Sequence, residues 1–67
     1  MFIVIELQKS TEGTVSNIVT AYETQAAAES HYYTVLAAAA VSTLPCHSAV
    51  LVSEEGFPLM HQCYKHV

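Results

Sequence analysis

The chain has no arginine, no aspartate and no tryptophan, and its 67 residues include only two lysines, two glycines, two prolines and two cysteines. Each shortage excludes something. With Lys9 and Lys65 as its only cationic side chains of fixed charge, the chain lacks the clustered cations that displace counterions from phosphate. No nucleic-acid binding is expected. Without arginine there is no planar fork for clamping phosphate or carboxylate ligands. The glutamates, Glu6, Glu12, Glu23, Glu29, Glu54 and Glu55, are too few and too scattered to imitate a DNA backbone.

The other shortages bear on compartment and organisation. No stretch reaches the ~20 apolar residues that cross a bilayer, so no membrane insertion is expected. The opening Met1-Phe2-Ile3-Val4-Ile5-Glu6 is too short for the apolar core of a signal peptide and has no positive stretch before it. Cys46 and Cys63 then make no disulfide framework, and a reduced, cytoplasmic protein is the expectation. No repeat or linker divides the chain, which reads as a single domain over 1–67.

What is present is apolar. Hydrophobic residues make up 52% of the chain and charged residues 12%, against about 25% charged in an ordinary domain. A small domain has proportionally more surface than a large one and buries only roughly 60% of what its unfolded chain exposes. It should therefore need more charge, not less. The deficit implies that part of the surface meets protein rather than water, and a homo-oligomer (dimer or higher), with a further protein partner as an option, is expected.

Residues 2–8 are β-branched and apolar, and 14–23 form a more polar second strand. Thr11-Glu12-Gly13 turns between them, which is a hairpin signal. Thr24 is placed to cap a helix that runs from Gln25 to about Ser42 on alanine propensity, because Pro45 disfavours a helical Leu44. Residues 47–53 and 58–66 make a second hairpin around Glu54-Glu55-Gly56. The order ββαββ predicts an α+β fold: a four-stranded antiparallel sheet with one helix packed on one face.

One helix of about 18 residues, roughly 27 Å long, covers one face of such a sheet and not both. Alternation along the strands predicts Ile3, Ile5, Leu7, Ala49, Leu51 and Leu59 beneath the helix. Phe2, Val4, Val50, Val52, Met60 and Tyr64 then fall on the open face, as the expected interface with another subunit. On the helix, Ala28, Tyr32, Val35, Leu36 and Ala39 make one stripe. The reverse side, Ala27, Ser30, Thr34, Ala37, Ala38 and Val41, is small and almost uncharged, a second surface open to a partner.

The residues able to carry chemistry gather in the C-terminal half: Cys46-His47 and His61-x-Cys63-x-x-His66. A three-residue Glu54-Glu55-Gly56 loop pairs Leu51 with Leu59 and hence His47 with Cys63. This register predicts His47, His61 and Cys63 together on the helix side, with Cys46 on the other. Neither CxxC nor HxxxH spacing is present, and zinc prefers four ligands from paired short spacings. A small metal- or ligand-binding protein using this cluster is the alternative to an interaction module, and whether His47, His61, Cys63 and His66 bind metal stays open. No cofactor is expected. For catalysis, Cys63 with His47 or His61 is a conceivable thiolate–imidazole pair. Nothing supplies an oxyanion hole, a phosphate loop or an orienting carboxylate, so no catalytic residue is assigned.

Several words of the chain, Ala28-Glu29-Ser30, Tyr33, Leu36-Ala37-Ala38-Ala39-Ala40-Val41-Ser42, His47-Ser48-Ala49, Glu55-Gly56 and Tyr64-x-His66, resemble short uncharacterised proteins of gut Firmicutes and of their phages and mobile elements. The likeness spans most of the chain. It implies a gut-bacterial or phage accessory protein, and it carries no catalytic residues with it.

Overall fold

A computed structural model describes residues 1–66. The chain runs β1 (Phe2–Lys9), β2 (Val15–Tyr22), α1 (Gln25–Ala40), β3 (Cys46–Ser53) and β4 (Pro58–Lys65). All neighbouring strands are antiparallel in one sheet of order β2-β1-β3-β4. This is the ββαββ α+β fold that the sequence predicts.

The two hairpins are chemical twins. Ser10-Thr11-Glu12-Gly13-Thr14 and Ser53-Glu54-Glu55-Gly56-Phe57 each close with a glycine N–H donating to the serine carbonyl, at 3.0 and 2.9 Å. In each the serine hydroxyl also accepts from the backbone N–H four residues on, at 3.2 Å. Gly13 and Gly56 sit at φ +89° and +86°. An L-side chain is strained in that left-handed region, which is why glycine ends both turns.

Thr24 caps α1, its hydroxyl accepting from the Ala27 N–H at 3.3 Å. The helix stops at Ala40 with Val41 as its C-cap, one turn's fraction earlier than expected. The His66 ring reaches the C-terminal end of α1, its Nε2 2.8 Å from the Ala39 carbonyl oxygen, which also accepts from the Ser42 N–H at 3.2 Å. The stripe read from the sequence is the buried one. Ala28, Tyr32, Val35 and Ala39 are buried, and Leu36 packs against the core they form.

Which sheet face the helix covers departs from expectation. The core joins Ala28, Tyr32 and Val35 to Val4, Ala49 and Leu51, with Phe2, Tyr22 and Met60 packed at its margin. Val4 is 1% exposed. Phe2, Val4 and Met60, expected on the open face, therefore lie beneath the helix. Ile3, Ile5 and Leu7, expected beneath it, alternate to the open side. Val50 and Val52 are on the open side as expected.

Two physical causes account for the inversion. In β1 both side-chain sets are apolar near the N-terminus, so the period-2 pattern carries little information about which faces inward. The pairing with β3 decides it: Val4 lies opposite Leu51, and Glu6 opposite Ala49. In β4 the cause is a β-bulge. Val52 pairs with Pro58, as the turn dictates, but Leu51 pairs with Met60, so Leu59 is the extra residue. A one-residue shift sends every following side chain to the opposite face. Tyr64 therefore lies opposite His47, on the helix side rather than the open one.

Candidate functional site

No cleft or cavity of ligand size is present among the described residues. The features able to act on another molecule lie on the sheet, and its two faces carry different chemistry.

Beneath the C-terminal half of α1, the strand pairings line up Gln8, His47 and Tyr64 on one row and Glu6, Ala49 and Gln62 on the next. His47 Nε2 is 2.5 Å from Glu6 Oε2, with only 6% and 15% of the two side chains exposed. The Gln8 amide donates to the same carboxylate oxygen at 2.8 Å. Burial pushes the Glu6 carboxyl up; the hydrogen bonds from His47 and Gln8 and the nearby imidazoles outweigh it. The net position is below the ordinary value of 4.5. His47 Nδ1 is buried with no hydrogen-bond partner. A bare ring nitrogen tolerates this as a lone pair better than as an N–H, so the geometry fits the tautomer in which Nε2–H donates to Glu6. Burial, with Tyr33 and Tyr64 nearby, pushes the Tyr32 hydroxyl above its ordinary range.

Among the described residues no element covers the opposite face. Across the strands its rows run Ala21–Ile3–Val52, then Val19–Ile5–Val50–His61, then Asn17–Leu7–Ser48–Cys63, and last Val15–Lys9–Cys46–Lys65. The first two rows are apolar except for His61. All six glutamates lie elsewhere, at Glu6 beneath the helix, at Glu23 and Glu29 around and on α1, and at Glu12, Glu54 and Glu55 in the turns. Val15 and Val19 are 60% and 59% exposed. Ile3, Ile5, Leu7, Val50 and Val52 beside them are half-buried, and a contiguous apolar sheet face is less ordinary than isolated exposed hydrophobes.

The cysteines meet on this face. Cys46 Sγ and Cys63 Sγ are 3.5 Å apart, both half-buried and both reduced. The hydrogen bond with Cys46 pushes the Cys63 thiol up, burial and the Cys46 charge add to this, and Lys65 opposes it.

The metal-candidate set expected from the sequence is thus divided by the sheet. His47 belongs to the helix side with Glu6. Cys63 and His61 belong to the open side, and His66 is engaged at the end of α1. Cys46 and Cys63, expected on opposite faces, share one. No cluster of three or more histidine, cysteine, aspartate or glutamate side chains suited to a metal ion occurs among the described residues. A thiolate–imidazole pair of Cys63 with His47 is ruled out by the same division. The Glu6–His47 and Cys46–Cys63 pairs were not legible beforehand, because both depend on cross-strand register. The bulge at Leu59 carries no sequence signal.

No family model, curated protein or solved structure matches this chain.

Proposed function

We propose that this protein is a homo-oligomeric interaction module whose open sheet face binds the same face of a second copy. The observation that carries the reading is the block Ile3, Ile5, Leu7, Val19, Val50 and Val52, contiguous through the strand pairings and free of any carboxylate. Val50 and Val52 belong to the interface expected from the sequence; the other four replace Phe2, Val4, Met60 and Tyr64, which the fold places on the helix side.

The size of the face suits this role. Four strands about 4.8 Å apart and eight residues long at ~3.3 Å per residue present about 500 Å². Two such faces bury about 1,000 Å² together, where specific association begins.

Charge favours a second copy in one orientation. Both lysines lie at one end of the sheet, level with Cys46. Glu23, Glu54 and Glu55 lie at the other, beyond Tyr22 and Ser53, and outnumber the Met1 ammonium that pairs with Glu54 there, as the lysines outnumber Glu12 of the first turn at theirs. A two-fold axis lying in the interface and perpendicular to the strands sets the lysine end of each copy against the glutamate end of its partner. An axis parallel to the strands stacks like on like. The first arrangement is a sandwich of two sheets with their strands antiparallel across the interface. A small accessory protein of a gut bacterium or phage, working in the cytoplasm, is a setting compatible with this role.

Sedimentation velocity across micromolar concentrations tests the proposal. A dimer is expected for the native chain and a folded monomer for Ile5→Glu and Val50→Glu. Ser30→Glu and Thr34→Glu, on the exposed back of α1, should leave the dimer intact. A native chain that stays monomeric, or a dimer lost only in the helix variants, overturns it.

A further inference from the structure

We propose that Cys46 and Cys63 form a reversible dithiol–disulfide site that locks β3 to β4, with a small-molecule disulfide such as oxidised glutathione as its oxidant. The pair lies within one chain, at a corner of the open face that the proposed dimer covers, so the exchange is one of the free chain and needs no second copy. Three observations support it.

Position comes first. The sulfurs are 3.5 Å apart because the bulge at Leu59 turns Cys63 to the face of Cys46. A disulfide needs them about 1.5 Å closer, at ~2.05 Å; the two residues are diagonal neighbours, Cys46 opposite Lys65 and Cys63 opposite Ser48, so closure takes a small shift of the strand ends together with side-chain rotation. Neither thiol is sealed in the core; both are half-buried. The link would also lie at the end of the hairpin remote from the Gly56 turn, where only the last strand pairings and the His66 N–H on the Pro45 carbonyl, at 2.9 Å, hold the strands together.

Charge comes second. The chain's two lysines flank the pair: Cys46 lies between Lys9 on β1 and Lys65 on β4. Cations beside a thiol favour thiolate, the reactive form, and draw in an anionic oxidant such as glutathione disulfide. The third observation is the ligand count. With no third metal ligand grouped with the cysteines among the described residues, the arrangement suits sulfur–sulfur chemistry better than a zinc centre.

The exchange proceeds in two steps. The Cys46 thiolate attacks one sulfur of the small disulfide, forming a mixed disulfide and expelling one small thiolate. Cys63 then loses its proton to solvent and attacks the Cys46 sulfur, expelling the second. Two protein thiols are oxidised, and one small disulfide is reduced to two thiolates, which take up through solvent the two protons that Cys46 and Cys63 release. Cys46, which lies between the two lysines on the neighbouring strands, is the attacking sulfur, and Cys63 is the resolving one.

The test equilibrates the full chain in glutathione buffers of graded ratio, then quenches, alkylates and weighs it. Folded native protein should yield a chain two hydrogens lighter, not cross-linked to another, with no alkylatable thiol. It should do so at a lower proportion of oxidised glutathione, by tenfold or more, than the same chain in urea. Oxidation should raise the melting midpoint, and dithiothreitol should reverse both changes. Cys63→Ser should accumulate a glutathione adduct on Cys46 faster than Cys46→Ser does on Cys63. The proposal fails if the folded chain keeps both thiols alkylatable in buffers that oxidise the urea-unfolded chain. It also fails if oxidation yields chiefly disulfides between chains.

Discussion

Val4 on β1 lies directly opposite Leu51 on β3, and these are the two largest side chains that the fold buries completely. The pair ties the two central strands to the helix. Leu51→Ala should therefore cost about 2–5 kcal/mol, the usual range for a buried leucine. At ~0.05–0.15 kcal/mol per residue, that is a large share of what 67 residues supply. Urea denaturation should show it as a lower midpoint. Val4→Glu buries an unpaired charge and should unfold the chain outright, whereas Ile5→Glu, one residue on and on the open face, should leave a folded monomer. Circular dichroism separates the two.

The buried Glu6–His47 pair makes stability depend on acid. The folded Glu6 carboxyl titrates below its ordinary 4.5, so the unfolded chain takes up the proton first as pH falls. The contribution of this carboxylate is fully present above the unfolded value and is lost as pH drops through the folded one. Urea midpoints should fall below about pH 4.5 in the native chain. Glu6→Gln should be less stable at neutral pH and flatter across the acid range. An equal slope in both would show that Glu6 is not the group concerned.

The twin turns offer a backbone test. A Cβ built on Gly13 or Gly56 meets no atom within 4 Å, so the cost of substitution is conformational and not steric crowding by neighbours. Alanine at either position should destabilise by about 1–2 kcal/mol. Asparagine, which tolerates the left-handed region, should cost less. Thermal melts of the four variants rank these effects, and alanine equal to asparagine at both sites would contradict the turn geometry.

Thr24→Ala removes the hydroxyl that accepts from the Ala27 N–H. A loss of about 0.5–2 kcal/mol is expected, with Thr24→Ser recovering most of it. Chemical denaturation monitored by helical circular dichroism measures both.

Much of the fold was legible locally. The residue pattern places the strands to within a residue or two, and with them the glycine turns, the Thr24 cap and the buried stripe Ala28, Tyr32, Val35 and Ala39. Each depends on neighbours in the chain: backbone preference at Gly13 and Gly56, a hydroxyl three residues from the N–H it accepts, apolar residues recurring at helical spacing. The His/Cys cluster was legible as residue types but not as an arrangement.

The sequence by itself determined that two hairpins flank one helix and that the helix leaves one apolar sheet face uncovered. Composition and element lengths suffice for that, because they count area and do not need register. Only the tertiary structure decided which residues make up that face. The pairing of Val4 with Leu51 turns Ile3, Ile5 and Leu7 outward, and the extra residue Leu59 turns Cys63 from His47 to Cys46. Side chains alternate with a period of two, so one residue of register reassigns a whole strand. That register is fixed between strands far apart in the chain.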